Sequence, residues 1–192
     1  MAGKLDQIIV VDLESTSWEG PPPEGQESEI IEVGICTLDV TTGERLEREC
    51  ILVKPTRSTV GEYCTRLTTL TQKQVDEGVS LEKACRVLKR KYGSKDRVWA
   101  SFGDYDRRQF ERQCSTEGIG YPFGPTHINV KNLFAVTYGL PHEVGMPQAL
   151  EHLGLPLEGT HHRGVDDAAN IAAILSRLLM EARAGLLKRK RP

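Results

Sequence analysis

The chain has 192 residues, of which 39% are hydrophobic and 27% are charged, a composition typical of one globular domain, or two at most. Its 25 Lys and Arg against 27 Asp and Glu give a formal charge of −2. This balance excludes a polybasic protein that binds nucleic acid by bulk attraction. It does not exclude a nucleic-acid enzyme, because an acidic metal site is compatible with a balanced total.

Several segments are absent from the sequence. No run of 18 apolar residues is present, so we expect no membrane span, and the short polar start over residues 1–6 predicts no signal peptide. The five cysteines are widely spaced and form no CxxC pair: Cys36, Cys50, Cys64, Cys85 and Cys114. This spacing argues against a disulfide scaffold or a zinc site and favours free thiols in a reducing cytoplasm.

The first quarter of the chain is predicted to form β-strands. Residues 7–13 are a continuous β-branched run, typical of a strand covered on both faces. The Pro- and Gly-rich residues 18–28 predict a surface loop. Residues 29–38 and 45–54, separated by a turn at 41–44, predict two further strands in a meander.

From residue 70 the hydrophobic period becomes that of helices. Ser80 is a plausible N-cap, because apolar residues follow it at helical spacing: Leu81, Ala84, Cys85 and Leu88. Further helices are predicted over 106–116, 131–138, 146–153 and 165–184, and short strands over 97–102 and 127–130. This order predicts an α/β fold with one mixed sheet and helices packed on its faces. We expect residues 1–192 to form a single domain, with a disordered basic tail over about 186–192.

Two carboxylates follow the first predicted strand. Asp12 and Glu14 are two residues apart, so they point to the same face of the strand, roughly 6–7 Å from each other. Such a pair of hard oxygen ligands suits Mg²⁺ or Mn²⁺. A D-x-E pair also arises often by chance in a chain with 27 acidic residues, so its interpretation depends on the other clusters.

A second acidic cluster opens the helix over 106–116. Asp106 is in helical register with the apolar residues Phe110 and Cys114, which predicts that it faces inward. Asp104 is in register with polar residues. We interpret it as a solvated acid that complements the helix dipole.

A third cluster precedes the last helix. Asp167 is in register with Ile171 and Leu178, so we expect it to point toward the sheet, whereas Asp166 falls on the polar side and is predicted to act as a cap. His162 lies five residues before Asp167 and could approach the same site. A lone histidine is more often structural, but the neighbouring carboxylates favour a functional role for this one.

In this order and spacing, Asp12-x-Glu14, Asp106 and His162-x4-Asp167 resemble the DEDDh 3′-to-5′ exonucleases. The resemblance covers residues 8–178 and is closest to the Eri-type exoribonuclease branch, through the stretches DLESTSW, SEIIEVGI, CTRLTTLTQKQV and HHRGVDDAANIA. It implies a ribonuclease-H-like mixed sheet with helices on both faces. Two departures are Tyr105, where those enzymes often have Trp, and a start directly at the catalytic strand.

The resemblance implies a metal-dependent exoribonuclease that acts on single-stranded or overhanging RNA 3′ ends and releases nucleoside 5′-monophosphates. The four carboxylates would hold two divalent cations, Mg²⁺ or Mn²⁺, and His162 would be the general base for the attacking water. It also implies substrate-binding residues: Leu13, Ser15 and Thr16 beside the terminal ribose, and Leu70 and Tyr105 beside the terminal base. Core packing is the alternative interpretation of the last two.

Other functions remain open from the sequence. A DNA exonuclease of the proofreading type shares every catalytic residue. A non-catalytic regulatory protein would retain the fold to bind a partner or RNA, but intact carboxylates argue against it. A zinc hydrolase is disfavoured because His161 and His162 are adjacent rather than at i and i+4 of a helix. The expected partners are nucleic-acid 3′ ends, with RNA preferred; neither a membrane nor a protein partner is indicated.

Overall fold

The structure is a computed structural model that describes residues 4–189, and it centres on one mixed five-stranded sheet. The strands are β1 (Lys4–Ser15), β2 (Ile30–Asp39), β3 (Arg45–Leu52), β4 (Arg97–Ser101) and β5 (His127–Asn129). Their order across the sheet is β3-β2-β1-β4-β5. β1, β2 and β3 form an antiparallel meander, and β4 and β5 run parallel to β1, so the carboxyl ends of β1, β4 and β5 share one edge.

Strand β1 lies at the centre because both of its faces are apolar. Ile8 and Val10 pack into one core cluster, and Ile9 and Val11 pack into a second cluster on the opposite face. Consecutive side chains of a strand point to opposite faces, so a continuous β-branched run supplies both cores at once.

The helices are α1 (Glu62–Thr68), α2 (Gln72–Asp76), α3 (Leu81–Lys91), α4 (Tyr105–Thr116), α5 (Val130–Thr137), α6 (Met146–His152) and α7 (Gly164–Arg189). α5, α6 and α7 cover one face of the sheet, and α3 and α4 cover the other. The predicted α/β fold, a mixed sheet with helices on both faces, is confirmed. None of the described helices is long and apolar enough to cross a membrane.

The structure differs from the predicted elements in two places. Helices α1 and α2 were not predicted: the N-cap of α1 is Gly61, which has no side chain to cap the helix, and α2 has only five residues. Helix α7 continues to Arg189, past the predicted end at 184, so the first residues of the expected basic tail are helical. The rest of that tail, residues 190–192, lies outside the described residues, and the single-domain interpretation of residues 1–192 stays a prediction.

Candidate active site

The site forms at the carboxyl end of β1. Asp12 and Glu14 point to the same face of the strand, where Asp12 is half-buried and Glu14 is buried. Gly34 of β2 pairs directly with Asp12, and a Cβ atom on Gly34 would lie 1.8 Å from the carbonyl carbon of Gly164. Because neither glycine carries a side chain, the start of α7 packs directly on the sheet beside Asp12.

Asp106 enters the site from the start of α4. Its side chain is buried with Phe110 and Cys114, as helical phase predicts. The backbone N–H of Leu13 donates to Asp106 Oδ1 at 2.9 Å, which ties the start of α4 to the end of β1. Asp104 points outward and pairs with Arg107 at 3.2 Å.

Asp167 enters from the first turn of α7 and is buried. Its Oδ2 accepts a hydrogen bond from the backbone N–H of His162 at 2.8 Å and lies 3.0 Å from His161 Nδ1. The predicted capping role of Asp166 is wrong, because α7 already begins at Gly164 and Asp166 stands inside its first turn. Asp166 Oδ2 instead accepts from the backbone N–H of Thr160 at 2.9 Å. Its Oδ1 pairs with Arg48 at 2.8 Å.

The four carboxylates and both histidines line one cavity of about 550 Å³. Ligand oxygens of Asp12, Glu14 and Asp167 lie within 4.8 Å of one another, and so do ligand atoms of His161, His162 and Asp167. No lysine or arginine of the described residues lines this cavity. The arrangement therefore concentrates anionic oxygen ligands with no protein cation among them.

Burial in this cavity raises the pKa of each carboxyl group. The pKa of Asp12 lies well above its ordinary value because of burial, and then because of the neighbouring carboxylates Asp106 and Glu14. Burial, with Asp167 next in importance, raises the pKa of Glu14 to about 9. Burial also raises the pKa of Asp106 to about 6 and that of Asp167 above its ordinary value. A nearby cation would favour the ionised form of each of these groups, so the donor set fits divalent metal ions with oxygen ligands.

His162 combines an uncommon backbone conformation with a partly buried ring. Its φ of +65° lies in the left-handed region, which non-glycine residues rarely adopt. The ring stacks on His161 with centroids 3.9 Å apart. Burial lowers the pKa of His162, so the imidazole is neutral near pH 7 and can accept a proton.

The predicted substrate-binding residues divide into two groups. Leu13, Ser15 and Tyr105 line the cavity, and the hydroxyl of Ser15 is buried without a hydrogen-bond partner among the described residues. Thr16 and Leu70 do not support the prediction. The hydroxyl of Thr16 bonds the backbone N–H of Glu29 and Ser58 Oγ, and Leu70 is fully buried in a core cluster with Ile31, Cys64 and Val75.

Sequence reasoning missed the residues that hold the site together. Glu32 of β2 is fully buried, and its carboxylate accepts from Arg163 Nε at 3.2 Å and from the backbone N–H of Val165 at 3.3 Å. These bonds fasten the turn before α7 to the sheet. A glutamate inside the otherwise apolar strand 30–36 was the available signal, because a buried charge needs a partner. The sequence suggested His161 only as a possible zinc ligand.

Together, the mixed sheet with helices on both faces and the acidic cavity at the end of its central strand define a ribonuclease-H-like nuclease fold. A family model described as "Exonuclease", RNase_T, matches residues 9–175. The chain belongs to this exonuclease family, and the resemblance to DEDDh 3′-to-5′ exonucleases is confirmed.

Three similar proteins are named as exonucleases. The chain is 30% identical to the 3′-5′ exonuclease Snipper of Drosophila melanogaster over 91% of this chain and 69% of that protein. It is 33% identical to human 3′-5′ exoribonuclease 1 over 92% of this chain and 53% of that protein, so it spans about half of the human relative. The crystal structure of the nuclease domain of 3′hExo, a DEDDh family member, bound to rAMP superposes with a TM-score of 0.82. It has 31% identity and covers 94% of this chain and 95% of that domain.

Proposed function

We propose that the chain is a metal-dependent 3′-to-5′ exoribonuclease that releases nucleoside 5′-monophosphates from single-stranded or overhanging RNA 3′ ends. The observation that carries the proposal is the cluster of carboxylate oxygens of Asp12, Glu14 and Asp167 within 4.8 Å of one another in an open cavity. Asp106 is the fourth carboxylate on that cavity. The choice of RNA is supported by the relative named an exoribonuclease and by the neighbouring structure that contains rAMP.

In the proposed mechanism the four carboxylates would hold two divalent cations, Mg²⁺ or Mn²⁺. Bound divalent cations supply positive charge that activates water and offsets the negative charge developing at the phosphate. His162, neutral because burial lowers its pKa, takes the proton of the attacking water. Oxygen of that water bonds to phosphorus while the bond from phosphorus to the 3′ oxygen breaks. The 3′ oxygen leaves and acquires a proton, and the terminal nucleotide departs as a 5′-monophosphate.

Substrate recognition is proposed at the rim of the same cavity. Ser15 and Leu13 line the cavity and would lie beside the terminal ribose, and the buried hydroxyl of Ser15 has no partner among the described residues. Tyr105 is 55% exposed and lines the cavity, so its ring is available to stack on a base. Contacts with the sugar and with the face of a base are typical of proteins that bind single-stranded ends, not of proteins that read the grooves of a duplex. All five cysteines are free thiols in the structure, which supports action in a reducing compartment such as the cytoplasm.

The test compares two oligonucleotides of one sequence, as RNA and as DNA, each labelled at the 5′ end. With Mg²⁺ or Mn²⁺ we expect a ladder that shortens from the 3′ end, release of 5′-monophosphates, and faster cleavage of RNA. Chelation of divalent cations stops the reaction. Faster cleavage of DNA would favour the proofreading-type alternative. No nucleotide release at high enzyme concentration would favour a non-catalytic binding protein.

A further inference from the structure

A second cavity adjoins the acidic one at the same edge of the sheet. It has a volume of about 430 Å³, and Phe102 and Tyr105 line both cavities. Its walls come from the start of α4 and the start of α5, which follow the carboxyl ends of β4 and β5. The two cavities therefore form one continuous path with Tyr105 at the junction, and we name the second the upstream cleft.

The two cavities differ in charge. The acidic cavity has no lysine or arginine on its wall among residues 4–189. The wall of the upstream cleft carries three cations and two carboxylates, namely Arg108, Arg112, Lys131, Asp104 and Glu143. A nucleic-acid strand has one phosphate for each nucleotide, and each needs a cation or solvent. Metal ions at the acidic cavity serve only the phosphate that is cleaved. Phosphates further from the 3′ end are neutralised by protein cations beside that cavity or are left to solvent.

Two of the three cations in the upstream cleft are available to a ligand. Arg112 is held by Glu27 and by the carbonyl oxygen of Ser28. Arg108 is exposed and pairs with no acidic residue of the described chain. Lys131 makes one ion pair, with Glu143 at 3.4 Å, at the surface, where such pairs contribute little.

The backbone supports the position of Lys131. Gly103 has a φ of +109°, and the point where its Cβ would lie is 3.8 Å from Cδ of Lys131. The lysine stem therefore lies beside the turn between β4 and α4, on the wall of the cleft that Tyr105 also lines. An exposed aromatic ring beside cations is the combination that single-strand binding surfaces use.

We propose that the upstream cleft binds the nucleotides that precede the 3′-terminal one, with Arg108 and Lys131 contacting their phosphates. The inference rests on the proposed exonuclease function and extends it to substrate length. It implies that a strand of several nucleotides binds through contacts that a dinucleotide lacks. These contacts strengthen substrate binding rather than the chemical step, because neither cation lines the acidic cavity.

The experiment compares a dinucleotide, which has a single phosphodiester bond, with a strand of about 12 nucleotides, using the polymer that the wild type cleaves. For Arg108→Ala/Lys131→Ala we expect kcat/KM on the long strand to fall by roughly tenfold or more, mainly through KM. Activity on the dinucleotide stays at the wild-type level. The slope of log(kcat/KM) against log salt concentration becomes shallower by about 0.7 for each phosphate that the variant no longer neutralises.

The matched control is Lys83→Ala/Arg90→Ala, which removes two exposed cations of α3 that line neither the acidic cavity nor the upstream cleft. This control variant should cleave both substrates with wild-type kinetics. A second variant, Arg108→Lys, should keep the wild-type salt slope. Equal losses on both substrates, no loss on the long strand, or an equal loss in the control would overturn the proposal. A wild-type protein inactive on both substrates would instead reject the exonuclease function itself.

Discussion

Helices α4 and α7 begin in similar ways but are fastened differently. Each start carries one acid that reaches the acidic cavity, Asp106 or Asp167, and one that points outward to an arginine. At α4 the outward acid, Asp104, pairs with Arg107 of its own helix. At α7 the outward acid, Asp166, reaches Arg48 of β3 and the loop before the helix. The outward acid of α7 therefore makes tertiary contacts, whereas the outward acid of α4 pairs within its own helix.

The residues before the two helices show the same contrast. The left-handed residue before α4 is Gly103, which adopts a positive φ without strain. Before α7 it is His162, a residue that is proposed to act in catalysis. Strain in a non-glycine residue persists only where the surroundings hold it. Two contacts keep His162 in this conformation: the hydrogen bond from its N–H to Asp167, and the Glu32–Arg163 pair beside it.

The largest expected effect separates the inward acids from the outward ones. Asp106→Asn or Asp167→Asn should lower kcat on the dinucleotide by at least about 10³-fold, because each removes metal-ligand charge worth several kcal/mol in the transition state. Asp104→Asn should stay within about twofold of wild type, because that side chain lies outside the acidic cavity. Circular dichroism checks that all three variants fold. An essential Asp104 with a dispensable Asp106 would refute the helical-phase argument.

The next effect concerns His162. Replacement by Asn keeps a side chain that tolerates the left-handed region but removes the proton acceptor. We expect His162→Asn to lower kcat by about 10²- to 10⁴-fold, with a melting temperature near that of wild type. His142→Asn, at an exposed histidine outside the acidic cavity, is the matched control and should leave kcat unchanged. Nearly full activity in His162→Asn would mean that another group accepts the proton.

A smaller effect is expected in the stability of the metal-free protein. The pKa of Glu14 is raised from 4.5 to about 9 in the folded state, so the folded protein holds this proton more tightly than the unfolded chain does. The resulting stability is complete below pH 4.5 and is lost as the pH rises through about 9. Melting temperatures measured without metal should therefore fall between pH 5 and pH 9.

Two comparisons isolate the cause of that pH dependence. Glu14→Gln should make it shallower and stabilise the metal-free protein at pH 8 by about 1–3 kcal/mol, because the wild type must take up a proton at Glu14 when it folds at that pH and glutamine needs none. Adding Mn²⁺ should raise the melting temperature of the wild type more at pH 8 than at pH 5.5, since the cation binds ionised carboxylates. A wild-type melting temperature that rises with pH under chelation would contradict the assigned direction.

Periodicity predicted the parts of the fold that follow a regular pattern. The apolar run of β1 and the helical phase of Asp106 and Asp167 are visible in sequence because each position repeats a fixed geometry. The site residues that depend on contacts between distant segments were not predicted. Gly34 matters only because the start of α7 packs on it, and Glu32 only because Arg163 reaches it.

Predictions from local sequence motifs also failed where contacts between distant segments determine the structure. The motif that contains Leu70 implies a position beside the terminal base. In the structure Leu70 packs in a core cluster, and Leu67 lines the acidic cavity instead. Thr69, between them, has a φ of +62°, uncommon for a β-branched residue. Arg163 reaches its hydroxyl at 3.4 Å. No spacing in the sequence predicts that turn, because the contact joins segments that are 94 positions apart.

The smallest effect tests the different fastening of the two helix starts directly. Asp166→Asn should lower the free energy of unfolding by about 1 kcal/mol, because Arg48 loses its shorter ion pair and keeps only Glu158 at 3.7 Å, while the Thr160 N–H keeps a weaker acceptor. Asp104→Asn should cost less than about 0.5 kcal/mol, because its ion pair with Arg107 is local and partly exposed. Urea denaturation of both variants, with Arg48→Ala and the double variant Arg48→Ala/Asp166→Asn, measures the coupling. Equal losses at the two sites, or additive losses at Arg48 and Asp166, would mean that the Arg48–Asp166 pair does not fasten the start of α7.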